Sequence, residues 1–253
     1  MRPRIAIIIQ ARLASTRLPR KMILPFFEEK GILQVLLERI KIAFPELPLW
    51  VATSESESCD ELSVLCEQLN VNCYRGNENN VLSRFVNIIN KEKYEYVIRV
   101  CADNPFLDLE SIKVLIDYLS NNVGIDYVSQ KTDEGKPVIK SHLGFFAELI
   151  KADVLKQINA VEGLLPLYSE HVTNYLYENP GYNIKLLPIL DKFNSHCEIR
   201  LTIDTIEDFN LAMLLFKKTF YKGEIDYNKL IRMINLNDDI KERMKHQIIQ
   251  NGK

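Results

Sequence analysis

The chain has 253 residues, of which 47% are hydrophobic and 26% charged, enough for one large α/β domain or two small ones. A formal net charge of -2 argues against a nucleic-acid-coating surface, which needs a basic excess, but leaves room for a local basic pocket. No apolar stretch approaches the ~18 residues of a membrane-spanning helix, and the amino terminus enters a strand without a signal-peptide core and cleavage site. Cys59, Cys66, Cys73, Cys101 and Cys197 are scattered and form no C-x-x-C pair, so neither a zinc site nor a disulfide framework is expected. They read as reduced thiols of a cytoplasmic protein.

Strand-like runs lie at 4–10, 48–53, 71–74, 95–101, 125–129, 183–189 and 198–203. Helical patterns lie at about 31–43, 58–69, 79–91, 109–121, 151–158, 168–178 and 206–218. In the first of these helices Leu33, Leu36, Leu37 and Ile40 share one face. Ser58 followed by Glu61 reads as a capping box for the second. The alternation predicts right-handed βαβ units and a mainly parallel sheet. Residues 1–220 are expected to form one domain, with a less regular inserted subregion at about 125–190. Residues 221–253 are expected to form a helical tail packed on that domain.

The first apolar run ends at Gln10 and opens into Ala11-Arg12-Leu13-Ala14-Ser15-Thr16-Arg17-Leu18-Pro19-Arg20-Lys21. Cations, two hydroxyls and loop amides converge there, the chemistry a triphosphate needs. The alternative is a solvated basic turn that only caps a helix. Neither G-x-x-x-x-G-K-[ST] nor G-x-G-x-x-G occurs, so a Walker loop and a dinucleotide site have no support. Ligands of an open α/β sheet sit outside the carboxyl ends of the strands. Three further polar clusters follow predicted strands and fall on that rim: Tyr74-Arg75-Gly76-Asn77-Glu78, Ala102-Asp103-Asn104-Pro105 and Asp204-Thr205.

The loop pattern A-R-x-x-S-T-R-L-P-x-K resembles the nucleotide-binding loop of cytidylyltransferases. The likeness is greatest to the spore-coat polysaccharide (SpsF-like) group, with 3-deoxy-manno-octulosonate cytidylyltransferases as more distant relatives. Ala14 and Arg20 stand where that group often has Gly. Arg99-Val100-Cys101-Ala102-Asp103-Asn104-Pro105-Phe106-Leu107-Asp108 resembles R-x-T-x-D-x-P-x-x-D, with Cys101 at the usual Thr. Arg200-Leu201-Thr202-Ile203-Asp204-Thr205-Ile206-Glu207-Asp208 resembles R-x-T-V-D-T-P-E-D. Arg75-Gly76 through Phe85 resembles R-G-x-x-x-x-V-L-x-R-[FY]. Lys140 to Glu148 matches P-x-G-x-D-x-E loosely, with Phe146 at the usual Asp, and Glu170-His171-Val172-Thr173 is similar to E-H-V-T.

The resemblance implies a nucleotide-diphospho-sugar transferase fold, an α/β type with a mixed, mainly parallel sheet flanked by helices. It implies a CTP-dependent transfer of CMP to an anionic acceptor, such as a sugar acid or sugar phosphate, with release of pyrophosphate for surface-polysaccharide synthesis. By the same resemblance Arg12, Lys21, Asp103 and Asp204 are catalytic, and Asp103 and Asp204 hold Mg²⁺. Gln10, Ala11, Arg12, Ser15, Thr16, Arg17, Lys21, Arg75, Gly76 and Asp103 would bind the nucleotide. Arg84, Phe146, Glu148, His171 and Arg200 would face the acceptor, although a structural role for His171 stays open. Arg200 is expected to reach either a phosphate or Asp103, and Asp108 to cap the following helix or to position the loop. Lys21 is expected on a surface loop, outside the core. His142, His196 and His246 form no metal-ligand spacing. Tyr168, Tyr175, Tyr177 and Tyr182 read as packing aromatics or a homodimer surface. The rivals are a glycosyltransferase on the same fold and an inactive nucleotide-binding subunit. The first lacks its usual D-x-D motif here, and the retained Lys21, Asp103 and Asp204 count against the second.

Overall fold

The computed structural model describes residues 3–122, 124–193 and 198–251; His196 and Cys197 lie outside them. Among the described residues, β1 (Ile5–Gln10), β2 (Leu49–Ser54), β3 (Asn72–Gly76), β4 (Tyr96–Cys101), β5 (Tyr127–Lys131), β6 (Glu148–Lys151) and β7 (Ile184–Pro188) form one sheet. Its order is β3-β2-β1-β4-β6-β5-β7. All neighbours are parallel except β6, which runs antiparallel to both β4 and β5.

The centre of the sheet follows from sequence. Strand β1 reads Ile-Ala-Ile-Ile-Ile-Gln and is buried on both faces, as a central parallel strand must be. Its side chains alternate between two cores. Ile7 and Ile9 pack with Leu33, Leu36 and Ile40 of α1 (Ile32–Ala43), while Ala6 and Ile8 pack with Leu82, Phe85 and Ile89 of α3 (Val81–Glu92). Between them in sequence lies α2 (Asp60–Gln68). Helix α3 begins where the Asn80 side chain accepts from Ser83 N at 2.8 Å, and ends at Lys93 in left-handed backbone. Phe85 is wholly buried, so Phe85→Ala would cost about 3–5 kcal/mol. Helix α4 (Leu109–Asn121) is capped by Asp108, which accepts from Ser111 N at 2.9 Å.

The second half departs from expectation in several places. Residues 148–151, not predicted as a strand, enter the sheet as β6 before α5 (Ala152–Asn159). The single helix predicted at 168–178 is two short ones, α6 (Pro166–Glu170) and α7 (Asn174–Glu178), broken at His171. The run at 198–203 is no strand: its backbone bonds are isolated, from Leu201 N and Thr202 N to His142 O and from Ile203 N to Asp103 O. The Ser58–Glu61 capping box does not form, because a 3-10 turn at Glu57–Cys59 precedes α2 and Ser58 Oγ pairs with Ser56 Oγ.

The carboxyl-terminal part adds α8 (Ile206–Thr219), a two-stranded ribbon β8 (Phe220–Tyr221) and β9 (Glu224–Ile225), α9 (Tyr227–Asn235) and α10 (Asp238–Gln250). These cover a third core in which Phe26 meets Phe209 and Phe216, with ring centroids 5.6 and 5.2 Å apart. No helix among the described residues is long and apolar enough to cross a membrane.

Candidate active site

The loop after β1 is pinned from below. Ala11, Leu13, Leu18 and Met22 are buried, and Arg12, Ser15, Thr16, Arg17 and Arg20 between them are left on the outer side. Leu13 O accepts from both Ser15 N and Arg20 N at 2.9 Å, which closes the loop on itself. Arg20 takes a φ of 61°, the left-handed conformation that glycine adopts without strain. Its guanidinium pairs with Glu61 rather than facing the rim. Gly31 lets the loop return: a Cβ there would lie 2.5 Å from Met22 O.

Lys21 turns inward from this loop. It is only 7% exposed, a correction to its expected surface position. Its ammonium donates to Ile203 O and lies 3.7 Å from Asp103 Oδ2 and 3.6 Å from Asp204 Oδ1. Arg17 reaches Asp204 Oδ1 at 3.0 Å from the outside. Asp103 follows β4, and the bond from Ile203 N to Asp103 O, 3.1 Å, draws the segment carrying Asp204 against it. Two carboxylates and two cations thus meet at the carboxyl end of the central strands. Asp103 and Asp204 stay 28% and 15% exposed, so the cluster opens to solvent.

A second layer holds Asp204. Arg200 lies beneath it, its side chain fully buried, donating from Nε to Asp208 Oδ1 at 2.8 Å and from Nη2 to Asp204 Oδ2 at 2.9 Å. Burial works against the Arg200 cation, but the hydrogen bond and charge of Asp208 outweigh it and raise its pKa. Arg200 Nη1 donates to His142 Nδ1 at 2.6 Å, which places the proton of a neutral imidazole on Nε2. Arg200 thus donates to Asp208, Asp204 and His142 rather than to Asp103. Asp208 also accepts from Asp204 N and Thr205 N at 3.0 Å, while Thr205 caps α8 in a capping box with Asp208. The T-x-x-D spacing at 205–208 is the sequence signal for this anchor; nothing in the sequence marks His142 as its partner.

The remaining predicted site residues divide. Gln10, Ala11, Arg12, Ser15 and Thr16 lie on the loop or the strand end beside the cluster. Arg12 pairs with Glu170 of α6 at 2.9 Å, bringing the His171 region to the loop. Arg75 folds back onto the carbonyls of Ser54, Glu55 and Ser56 and pairs with Asp60 at 2.6 Å. Beside it, a Cβ on Gly76 would lie 2.9 Å from the Tyr74 ring. Arg84, Phe146 and Glu148 lie inside the fold rather than on the rim. Arg84 donates to Ala52 O at 3.3 Å, and burial and then the charge of Arg12 lower its pKa. Phe146 packs on Phe145 and Phe193. Glu148 pairs with Arg99 and accepts from Tyr127 OH.

No group of three or more His, Cys, Asp or Glu that could hold a metal occurs among the described residues. Asp103 and Asp204 nevertheless offer hard oxygen donors on either side of one cation. That donor set suits a divalent ion that keeps water and phosphate oxygens for the rest of its shell. A hollow of about 430 Å³ lined by Ile89, Tyr94, Tyr96 and Lys151 lies at the opposite, amino end of β4, away from the rim where such sheets bind ligands.

With this geometry in hand, the comparisons with known proteins are specific. A family model described as Cytidylyltransferase matches residues 6–237. The spore coat polysaccharide biosynthesis protein SpsF of Bacillus subtilis (strain 168) is 34% identical over 240 residues, 93% of this chain and 95% of that protein. A cytidylyltransferase structure from Leptospira borgpetersenii serovar Hardjo-bovis matches with a TM-score of 0.82 at 27% identity, over 94% of this chain and 96% of that one. The structure of CMP:2-keto-3-deoxy-manno-octonic acid synthetase complexed with CTP has a TM-score of 0.63 at 15% identity, over 85% and 98%, a likeness of fold. The α/β architecture expected from the sequence, a mixed, mainly parallel sheet flanked by helices, is the one observed, and it is shared with the Leptospira cytidylyltransferase.

Proposed function

Because the chain belongs to the cytidylyltransferase family and is a nucleotidyltransferase, we propose that it transfers CMP from CTP to an anionic acceptor in surface-polysaccharide synthesis. The observation that carries this reading is the convergence of Arg17, Lys21, Asp103 and Asp204 on the loop rim. These residues come from three distant parts of the chain, and packing alone gives no reason to gather them at a solvent-open edge. The relationship to SpsF supports the polysaccharide setting.

In the proposed reaction an acceptor oxygen attacks the α-phosphorus of CTP. A new P–O bond forms to the acceptor, the bond from the α-phosphorus to the bridging oxygen breaks, and pyrophosphate leaves with that electron pair. The protein supplies position and charge rather than a covalent nucleophile. Arg12 and Arg17 on the loop, with its backbone amides, hold the phosphates. Lys21 exchanges its contacts with the carboxylates for a phosphate oxygen as the nucleotide arrives. Asp103 and Asp204 would hold Mg²⁺, which when bound would neutralise charge on phosphate oxygens. Arg200, Asp208 and His142 keep Asp204 aimed at the rim. Ser15, Thr16, Arg75 and Gly76 complete the nucleotide side of the proposal, and His171, beside the Arg12–Glu170 pair, is its acceptor-side candidate.

A homodimer and a cytoplasmic setting belong to the same proposal. Leu165 and Leu167, 57% and 49% exposed beside Tyr168, support the first. The free thiols Cys66 and Cys73, in contact without a disulfide, support the second.

The test is pyrophosphate release from CTP, UTP, ATP and GTP, with and without Mg²⁺, against a panel of sugar acids and sugar phosphates. The proposal expects Mg²⁺-dependent release from CTP with one acceptor class. Equal use of all four nucleotides, or no metal effect, would defeat it.

A further inference from the structure

The carboxyl-terminal helix reaches the nucleotide loop. Helix α10 starts at the Asn237 cap, which accepts from Ile240 N at 3.2 Å, and buries Ile240, Met244 and Gln247 along one stripe. Ile240 and Met244 join the core built by Phe209, Phe216 and Leu230. The helix is therefore anchored, and its last turn has a fixed place. That turn lies beyond residue 237, where the match to the family model stops.

At its end Asn251 Oδ1 accepts from Arg17 Nη1 at 2.8 Å, while Arg17 Nη2 pairs with Asp204 at 3.0 Å. Asn251 Nδ2 in turn donates to Gln247 Oε1 at 2.9 Å, and Thr205 Oγ1 donates to the same oxygen at 3.3 Å. Both ends of the guanidinium fork are thus fixed. One end is held by the carboxylate, the other by an amide that is itself tied to the residue following Asp204.

We propose that Asn251 and Gln247 are positioning residues for the nucleotide: they hold the Arg17 guanidinium in the orientation that receives a phosphate. The inference rests on the reading of Arg17 as a phosphate ligand. A neutral amide is the acceptor suited to this task. It restricts a long side chain without cancelling its charge, so less conformational entropy is lost when the phosphate arrives. A carboxylate in the same place would compete with the phosphate for the cation.

The experiment is a double-mutant cycle on CTP affinity, using Arg17→Ala, Asn251→Ala and the pair in the full-length protein, with Asn251→Asp alongside. Asn251→Ala should weaken CTP binding by roughly threefold to tenfold, the scale of one hydrogen bond, without shifting the thermal midpoint. In the Arg17→Ala background it should change nothing further. Asn251→Asp should weaken binding more than Asn251→Ala does. If Arg17→Ala weakens CTP binding but Asn251→Ala does not, or does so equally in both backgrounds, the positioning role is overturned and the loop reading survives. If Arg17→Ala itself leaves CTP affinity unchanged, both are overturned.

Discussion

Two clusters of charge lie on the same sheet and differ in kind. In the interior, Arg99 pairs with Glu148 and donates to Gln10 Oε1 at 2.9 Å, while Tyr127 donates to Glu148. Arg99 and Glu148 are almost completely buried. Burial opposes the Arg99 cation, yet Cys101 and Glu148 raise its pKa above the ordinary value. On the rim, Lys21 lies 3.7 and 3.6 Å from its two carboxylates, beyond hydrogen-bond length, and both carboxylates reach solvent. A buried pair must be closed because an uncompensated ion there is very costly. On the rim Asp204 is already held by Arg17 at 3.0 Å and Arg200 at 2.9 Å, but Lys21 and Asp103 stay 3.7 Å apart, and that looser pair is what an entering ligand can close.

The contrast predicts opposite responses to truncation. Glu148→Ala strands Arg99 in the interior and should cost about 3–5 kcal/mol of folding stability, read from the urea midpoint at constant m-value. A loss within error of zero would mean that the interior pair is not closed. Lys21→Ala should act mainly on ligand, weakening CTP by about 1.5–3 kcal/mol in a binding titration. Because Lys21 is buried between carboxylates, a further stability loss of about 1 kcal/mol is expected in the free protein. Unchanged CTP affinity in a folded variant would assign Lys21 to structure alone.

The joint between the two regions is testable at Gly144. Its φ is +69°, and a Cβ would lie 3.0 Å from the backbone of Leu201 and Thr202. Gly144→Ala should therefore destabilise by about 1–3 kcal/mol, measured by thermal denaturation, and a stable variant would show that the two segments part readily. The smallest effect concerns Cys73, whose thiol pKa is lowered by its hydrogen bond with Cys66. Cys73 is partly exposed whereas Cys59 and Cys66 are not. Mass spectrometry after brief iodoacetamide treatment should find Cys73 labelled before those two, with a half-maximal rate below the pH typical of free cysteine. Prior labelling of Cys59 would contradict this.

The legible part of the molecule is the part governed by local pattern. Strands β1 to β4 and helices α1 to α4 follow apolar periodicity, and Asp108 caps α4 as its position before that helix suggested. Strand β6 escaped because four residues, Glu148-Leu149-Ile150-Lys151, run into α5 without a turn. Its charged first residue belongs in the sheet only because Arg99 lies opposite it in register. The stretch before Asp204 has the composition of a strand, but its backbone pairs with a loop carbonyl at His142 and with Asp103. On the rim, the loop and both carboxylates were legible as motifs. The burial of Lys21 was not, because it depends on a carbonyl at Ile203 that sequence leaves far away. Arg84 and Glu148 looked like ligand groups for the opposite reason: nothing local in a sequence separates a buried charge from an open one.

The most direct test of the rim as the chemical site is single-turnover pyrophosphate release by Asp204→Asn at saturating CTP and Mg²⁺. Asparagine keeps the shape and one oxygen, so Arg200 retains a partner, but it removes the charge that a hard cation and Lys21 require. The account predicts a fall in turnover of about 10²-fold or more, with a smaller change in CTP affinity, because the loss is felt where charge develops. Turnover equal to that of the wild type would show Asp204 to be only a carboxylate at the start of α8, and the two-carboxylate site would be wrong.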